Sequence, residues 1–246
     1  MRTLNHLFTA TAITLIATIA SCDKGAYIDI PTASKLESPT NPNSLNGHEY
    51  VDLGLSVKWA TCNVDAQHPE DFGEYYAWGD DAPHGHILHI LDSLGVDRKA
   101  ISDDYLAMFK NEFKFIAIEA RLEKKRVDIA NHKWGNGWHM PSAAEFKELY
   151  ENCTWQEVEI GGKVCFKGTS KIPGYTDCFI ILPGAGYKFV DEDPIYDTGA
   201  SFWSSTSYSH SEYGHYYKNA YHFNAAGMEE SRTGSFIGMS VRPVCK

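Results

Sequence analysis

Trp134-Gly135-Asn136-Gly137-Trp138-His139-Met140-Pro141-Ser142 runs directly into an apolar-periodic stretch over residues 143–152. Two Trp, two Gly and a Pro placed just before a helical pattern describe a fixed corner. Ser142 stands where an N-cap is needed, and Glu145, three residues on, is placed to accept from the Ser142 amide in a capping box. Phe146, Leu149 and Tyr150 then fall on one face, so the helix is expected to dock inward. Trp138, Met140, Phe146 and Leu149 are the predicted core of this region.

Outward from the corner, the C-terminal side reads as short strands: residues 155–160, 162–167, 179–182, 202–206, 216–223 and 240–245. Trp203 and Tyr221 are expected to point into the core by strand alternation. The N-terminal side reads as a strand or hairpin over residues 47–64, with apolar Val51, Leu53, Leu55, Val57 and Trp59 alternating, and an aromatic strand over 73–79. Residues 80–95 read as a loop. From 102 to 132, Leu106, Phe109, Phe113, Ile116, Ala120, Val127 and Ala130 recur at helical spacing, and Ser102, Asp103 and Asp104 suit a helix start. One long or broken helix is expected there. The fold class is α+β, built on a small antiparallel sheet with two helical segments and long loops.

The first residues describe export. Arg2 precedes an apolar run from Leu7 to Ile19, too short for a mature membrane span, and Ile19-Ala20-Ser21-Cys22 follows. Residues 1–21 read as a signal peptide. The Ile-Ala-Ser-Cys pattern resembles a bacterial lipobox, which implies cleavage before Cys22 and lipid on its sulfur, with anchoring that grows by about 0.8 kcal/mol per buried methylene. Residues 22–46 are rich in Pro, Ser, Thr and Asn and read as a flexible tether. Residues 47–246 carry enough apolar content for a single domain.

The net charge is −10, and −11 once Arg2 is lost with the signal. Nucleic acid is therefore not an expected partner, because phosphate binding needs a basic face. Lys124-Lys125-Arg126 sits among Glu119, Glu123 and Asp128 and reads as a solvated helix face. Of six cysteines, five remain beyond Cys22. Cys165 and Cys178 flank a turn-like segment and are the candidate disulfide.

Tyr50-Val51-Asp52-Leu53-Gly54-Leu55, Trp59-Ala60-Thr61-Cys62-Asn63-Val64, Tyr76-Ala77-Trp78-Gly79, the Trp134 corner, Leu182-Pro183-Gly184-Ala185-Gly186-Tyr187, Phe202-Trp203-Ser204-Ser205-Thr206 and Ser240-Val241-Arg242-Pro243-Val244 together resemble the Fibrobacter succinogenes major paralogous domain. That family is found in exported bacterial lipoproteins. The resemblance implies a C-type-lectin-like fold related to formylglycine-generating enzymes, with neighbouring N- and C-terminal strands, a helix after the Trp-x-Met-Pro corner and a long loop region. Residues 83–133 are longer and more helical than the family's usual connection and read as a helical insertion. His139 stands where the family more often has Arg, and no catalytic residues carry over.

His84, His86 and His89 bring three imidazoles within six residues near Asp80 and Asp81, but the spacing matches no finger or metalloprotease motif, and no metal or other cofactor is assigned. Asp191-Glu192-Asp193 offers hard oxygens in what reads as an acidic turn. The aromatic residues of the last third are the stronger signal, since exposed rings with polar tips suit a glycan or protein partner. Asp191, Asp193, Tyr196, Tyr208, His210 and Tyr213 are the candidate ligand-binding residues. The expectation is a non-catalytic, lipid-anchored binding module at the outer membrane or cell surface, its partner a glycan or a protein. The alternatives are an assembly subunit of a surface appendage and, third, an oxidative enzyme of the formylglycine-generating type.

If Cys22 carries the lipid, Cys22→Ala moves the protein from the detergent-extracted membrane fraction to the soluble fraction. Retention of the variant in the membrane fraction would refute the anchor.

Overall fold

The computed structural model describes residues 43–191, 193–195, 199–207, 217–224 and 227–246, all within the compact unit Glu37–Lys246. The chain enters through β1 (Asn43–Leu45), β2 (His48–Val51) and β3 (Lys58–Ala60), then passes into α1 (Gly85–Ser93), α2 (Arg98–Asp103), a 3-10 segment (Tyr105–Asn111), α3 (Glu112–Lys125) and α4 (Ile129–Trp134). The corner supplies β4 (Trp138–His139) and α5 (Ala143–Glu151). Strands follow: β5 (Cys153–Ile160), β6 (Lys163–Ser170), β7 (Phe179–Pro183), β8 (Tyr187–Lys188), β9 (Ala200–Ser207), β10 (Tyr217–Asn224), β11 (Gly227–Gly234), β12 (Gly238–Met239) and β13 (Val244–Cys245). These form antiparallel sheets ordered β1-β2-β3-β13-β4, β11-β10-β9, β12-β8 and β5-β6-β7. The α+β class stands, with more helices and more sheets than the sequence suggested. Among the described residues, no helix is long and apolar enough to cross a membrane.

The corner forms as its residues dictate. Ser142 Oγ accepts from the Glu145 amide and Glu145 Oε2 accepts from the Ser142 amide at 2.6 Å. Phe146 and Leu149 are fully buried. The Phe146 ring stacks on Tyr221 at 4.7 Å and meets Trp59 edge-on at 5.2 Å. Trp134 stacks on His48 at 3.9 Å and meets Trp138 edge-on at 5.0 Å, while Trp138 Nε1 donates to Leu45 O. Asp128 ties the corner from behind: its carboxylate accepts from Ala130 and Asn131 at the start of α4 and from the Met140 amide at 2.9 Å. The stretch expected as tether to residue 46 therefore ends earlier. Asn43–Leu45 pairs with β2, and Asn46 Nδ2 donates to Trp134 O and Asn136 O.

Several expectations are corrected. Residues 80–95 are not all loop, because α1 occupies Gly85–Ser93 and buries Ile87, Leu88 and Leu91. Its N-terminal residue His84 makes no side-chain cap, so the usual start signal is missing. Residues 102–132 break into several pieces, and the buried stripe of α3 is Phe115, Ile118, Glu119 and Leu122. Phe109 and Phe113, expected inside, are 58% and 87% exposed. Ser102 and Asp103 lie at the end of α2, whose N-cap is Asp97. Residues 73–79 contribute only isolated bridges, such as Tyr76 to Met239, and polar β11 carries no strand pattern of its own.

The Cys165–Cys178 pairing is not made. The β5–β6 turn is Gly161-Gly162, both at positive φ as a tight hairpin requires, and the β6–β7 register sets Cys165 opposite Pro183 and Thr169 opposite Phe179. That leaves Cys178 beyond the far end of the ladder from Cys165, and both sulfurs are free. Lys125 is not simply solvated, since it bridges Asp80 and Asp81.

Two substitutions test this frame. Trp138→Ala removes a buried indole and should cost about 3–5 kcal/mol, whereas Ser142→Ala, losing one cap, should cost about 1 kcal/mol. Chemical denaturation that ranks them in the opposite order would displace the corner from the core.

Candidate functional site

A cavity of about 780 Å³ opens between the helical segment and the strands behind it. One wall comes from α2, the 3-10 segment and α3 through Ile101, Ser102, Met108, Phe109, Glu112 and Glu119. The other comes from Tyr187, Phe189, Asp191 and Ile195, and from Ser231, Arg232, Thr233, Gly234, Phe236, Ile237 and Met239. Its volume lies within the range of small-molecule sites, and its lining has the usual mixture of rings, aliphatic groups and a few polar side chains.

Local structure explains how these side chains converge. The Asp97 carboxylate accepts from the Ala100 amide and starts α2. Arg98 then joins α2 to the opposite wall by donating to Val190 O at 2.9 Å, and Ser102 Oγ donates to Asp191 Oδ2 at 2.6 Å. Lys218, fully buried on β10, pairs with Glu123 of α3 and sits 4.1 Å from the centre of the Trp78 ring. These links hold the helices against the sheet while leaving the space between them open. Phe236 lies 4.7 Å from Phe115 and 5.9 Å from Phe189, ring centre to ring centre.

Glu119, read from the sequence as part of a solvated helix face, is instead a polar group of the cavity wall. It falls on the buried face of α3 and is only 1% exposed. Position 234 is glycine for a steric reason: a Cβ there would stand 2.7 Å from Glu119 Oε1 and 2.6 Å from the Phe236 ring. The pattern Phe115, Ile118, Glu119, Leu122 was the available signal, a carboxyl interrupting an apolar stripe.

Of the expected ligand-binding residues, Asp191 lines the cavity and Asp193 is exposed nearby in sequence. Tyr196, Tyr208, His210 and Tyr213 lie outside the described residues, as does Glu192. The three imidazoles of residues 84–89 do not converge. His84 is buried with a ring nitrogen on Phe236 O, His86 pairs with Asp80 at 2.9 Å, and His89 is exposed. Among the described residues, no three His, Cys, Asp or Glu side chains group as metal ligands.

Burial, with Lys188 and Arg98 near it, pulls the His84 imidazole down to about 4 against the hydrogen bond to Phe236 O. Burial pushes the Cys165 thiol up to about 11 and also raises Cys178, so both keep their protons at neutral pH. Glu145 is pushed up by burial, but His139 and Ser142 outweigh that and hold it at about 2. Compared with known protein families, curated proteins and solved structures, the chain matches none.

His84 binds its proton more weakly folded than unfolded, so its contribution to stability is complete above about 6.5 and falls away as the pH drops toward 4. Glu145 gives a second loss between its ordinary range near 4.5 and about 2. The melting temperature should therefore fall in two acid steps, and His84→Gln should flatten the upper one. An unchanged upper step in that variant would remove His84 as its source.

Proposed function

We propose that the protein is an exported, lipid-anchored binding module of the outer membrane or cell surface, which takes a ligand into the cavity between α2–α3 and β11. The observation that carries this reading is the cavity itself: a space of about 780 Å³ whose lining ends in a fully buried carboxyl. The resemblance to the Fibrobacter succinogenes major paralogous domain supports the same reading. The C-type-lectin-like fold it implies agrees with β13 lying beside β3 and with α5 following the Trp-x-Met-Pro corner. The partner is a glycan or a protein group small enough to enter.

The second reading, a subunit of a surface appendage, is favoured by a different observation. Phe113 and Phe109 are large, exposed rings on adjoining turns of the helical segment, a feature more common at protein interfaces than on free surfaces. The oxidative-enzyme reading gains least, since Cys165 and Cys178 are protonated and separated by the β6–β7 register.

A glycan array combined with a thermal-shift library, run on the parent and on Ser231→Trp, tests the cavity. A ligand at a hundred times its Kd stabilises by about 2.7 kcal/mol, a rise of roughly 5–10 °C for a domain of this size. Such a rise is expected in the parent and lost in Ser231→Trp, whose indole occupies the cavity. Equal shifts in both proteins place recognition elsewhere. Self-association that Phe113→Ser abolishes, with no small ligand found, favours the appendage reading.

A further inference from the structure

We propose that the cavity takes the aliphatic chain of an amphiphile, tail inward and polar head at the mouth; this rests on the cavity being the ligand site. The first argument is how the lining changes with depth. Ile101, Glu119, Phe236, Ile237 and Met239 line the space and are buried, so they mark its inner end. All but Glu119 are apolar. Ser102, Phe109 and Arg232 line the same space and are exposed, which places them at its opening. The interior is thus mainly apolar, while hydroxyl and charge gather where a head group would meet water.

The second argument is that the polar lining is engaged by the protein itself. Ser102 Oγ donates to Asp191 Oδ2 at 2.6 Å, and Glu112, Glu119, Ser231 and Arg232 each have interactions of their own. A sugar entering the cavity has to replace its water shell with hydrogen bonds from the wall, and every hydroxyl left unpaired there costs free energy. A methylene chain asks for none and gains from leaving water.

The third argument is the character of the walls. Ile101 and Met108 face the space from the helical side, and Ile195, Ile237 and Met239 from the strand side. Methionine side chains are unbranched and adapt to a flexible guest, so two of them suit a chain with many conformations better than a rigid ring. The apolar surface also continues outward. Phe109, 58% exposed at the opening, is followed on the next turn by Phe113, 87% exposed. The part of a chain nearest its head group can lie against these rings when the cavity of about 780 Å³ is filled.

Titration calorimetry with octyl, decyl and dodecyl maltoside, dodecanoate and maltose, all below micelle-forming concentrations, reads the contribution of the chain. The expected result is an affinity that rises about fourfold per added methylene until the cavity is full, with maltose silent. Dodecanoate binding as tightly as dodecyl maltoside identifies a free chain as sufficient; a clear excess for the maltoside identifies a sugar-bearing lipid. Both leave the chain as the bound group. Ser231→Trp should weaken the dodecyl probes by at least about tenfold, and Met108→Trp, which fills the space from the opposite wall, replaces it if that variant does not fold. Affinity independent of chain length, or maltose binding as tightly as dodecyl maltoside, overturns the chain assignment. When that happens and Ser231→Trp still blocks the probes, the cavity remains the ligand site and only its ligand class is wrong. Failure of every chain to bind overturns the chain assignment alone if the thermal-shift screen finds another ligand that Ser231→Trp excludes. Chain binding undiminished in both variants overturns the assignment and the cavity together.

Discussion

Val244 and Cys245 stand opposite Trp59 and Lys58 in the antiparallel ladder on one side and opposite His139 and Trp138 in the ladder on the other. The last strand of the chain therefore completes a sheet whose neighbours come from the beginning and the middle. β3 and β4 lie on opposite sides of β13, so without β13 the N-terminal strands and the Trp corner would have no common ladder. Such closure joins residues almost two hundred positions apart, and its loop entropy has to be offset by the cores that form on either side. One core gathers around Trp138, Phe115 and Trp203, and the other around Trp59, Phe146 and Phe202.

Arg242, just before this strand, shows how tightly the closure is specified. Its guanidinium is wholly buried and donates to Asn63 Oδ1 at 2.7 Å and to the carbonyls of Ala60, Thr61 and Pro69. Burial lowers its affinity for the proton to about 10, still far above neutrality, so the charge persists inside the fold. A buried cation is tolerable only where dipoles surround it, and here the turn after β3 supplies them. The turn and the terminal strand thus depend on each other.

The helical segment is attached by a different kind of bond. Asp80 with Lys125 and His86, Lys218 with Glu123, and Arg98 with Val190 are polar links across otherwise apolar packing. Breaking one partner of a buried pair leaves an uncompensated charge, which makes these links more specific than strong. They fix where α2 and α3 stand relative to the strands, and the space left between them is the cavity. Glu119 is likewise a polar side chain on a buried face, and it lines the cavity.

What the sequence determined by itself is what local chemistry decides. The capping box of Ser142 and Glu145, the inward face of α5 and the strands β5, β6, β7, β9 and β10 follow from caps and alternation, which act over a few residues, whereas the turn at Gly161-Gly162 and the continuation of β6 to Ser170 did not. The phase of α3 did not follow, because Phe109 and Phe113 repeat at the same spacing as Phe115, Ile118 and Leu122, and only the presence of Phe236 and the sheet behind it decides which face is covered. Polar β11 is a strand because β10 offers it a ladder in full register, not because of its own pattern. α1 lacks a cap to announce it. The cavity unites residues from Ile101 to Met239, and a space enclosed by segments so far apart exists only once tertiary packing has set the distance between them.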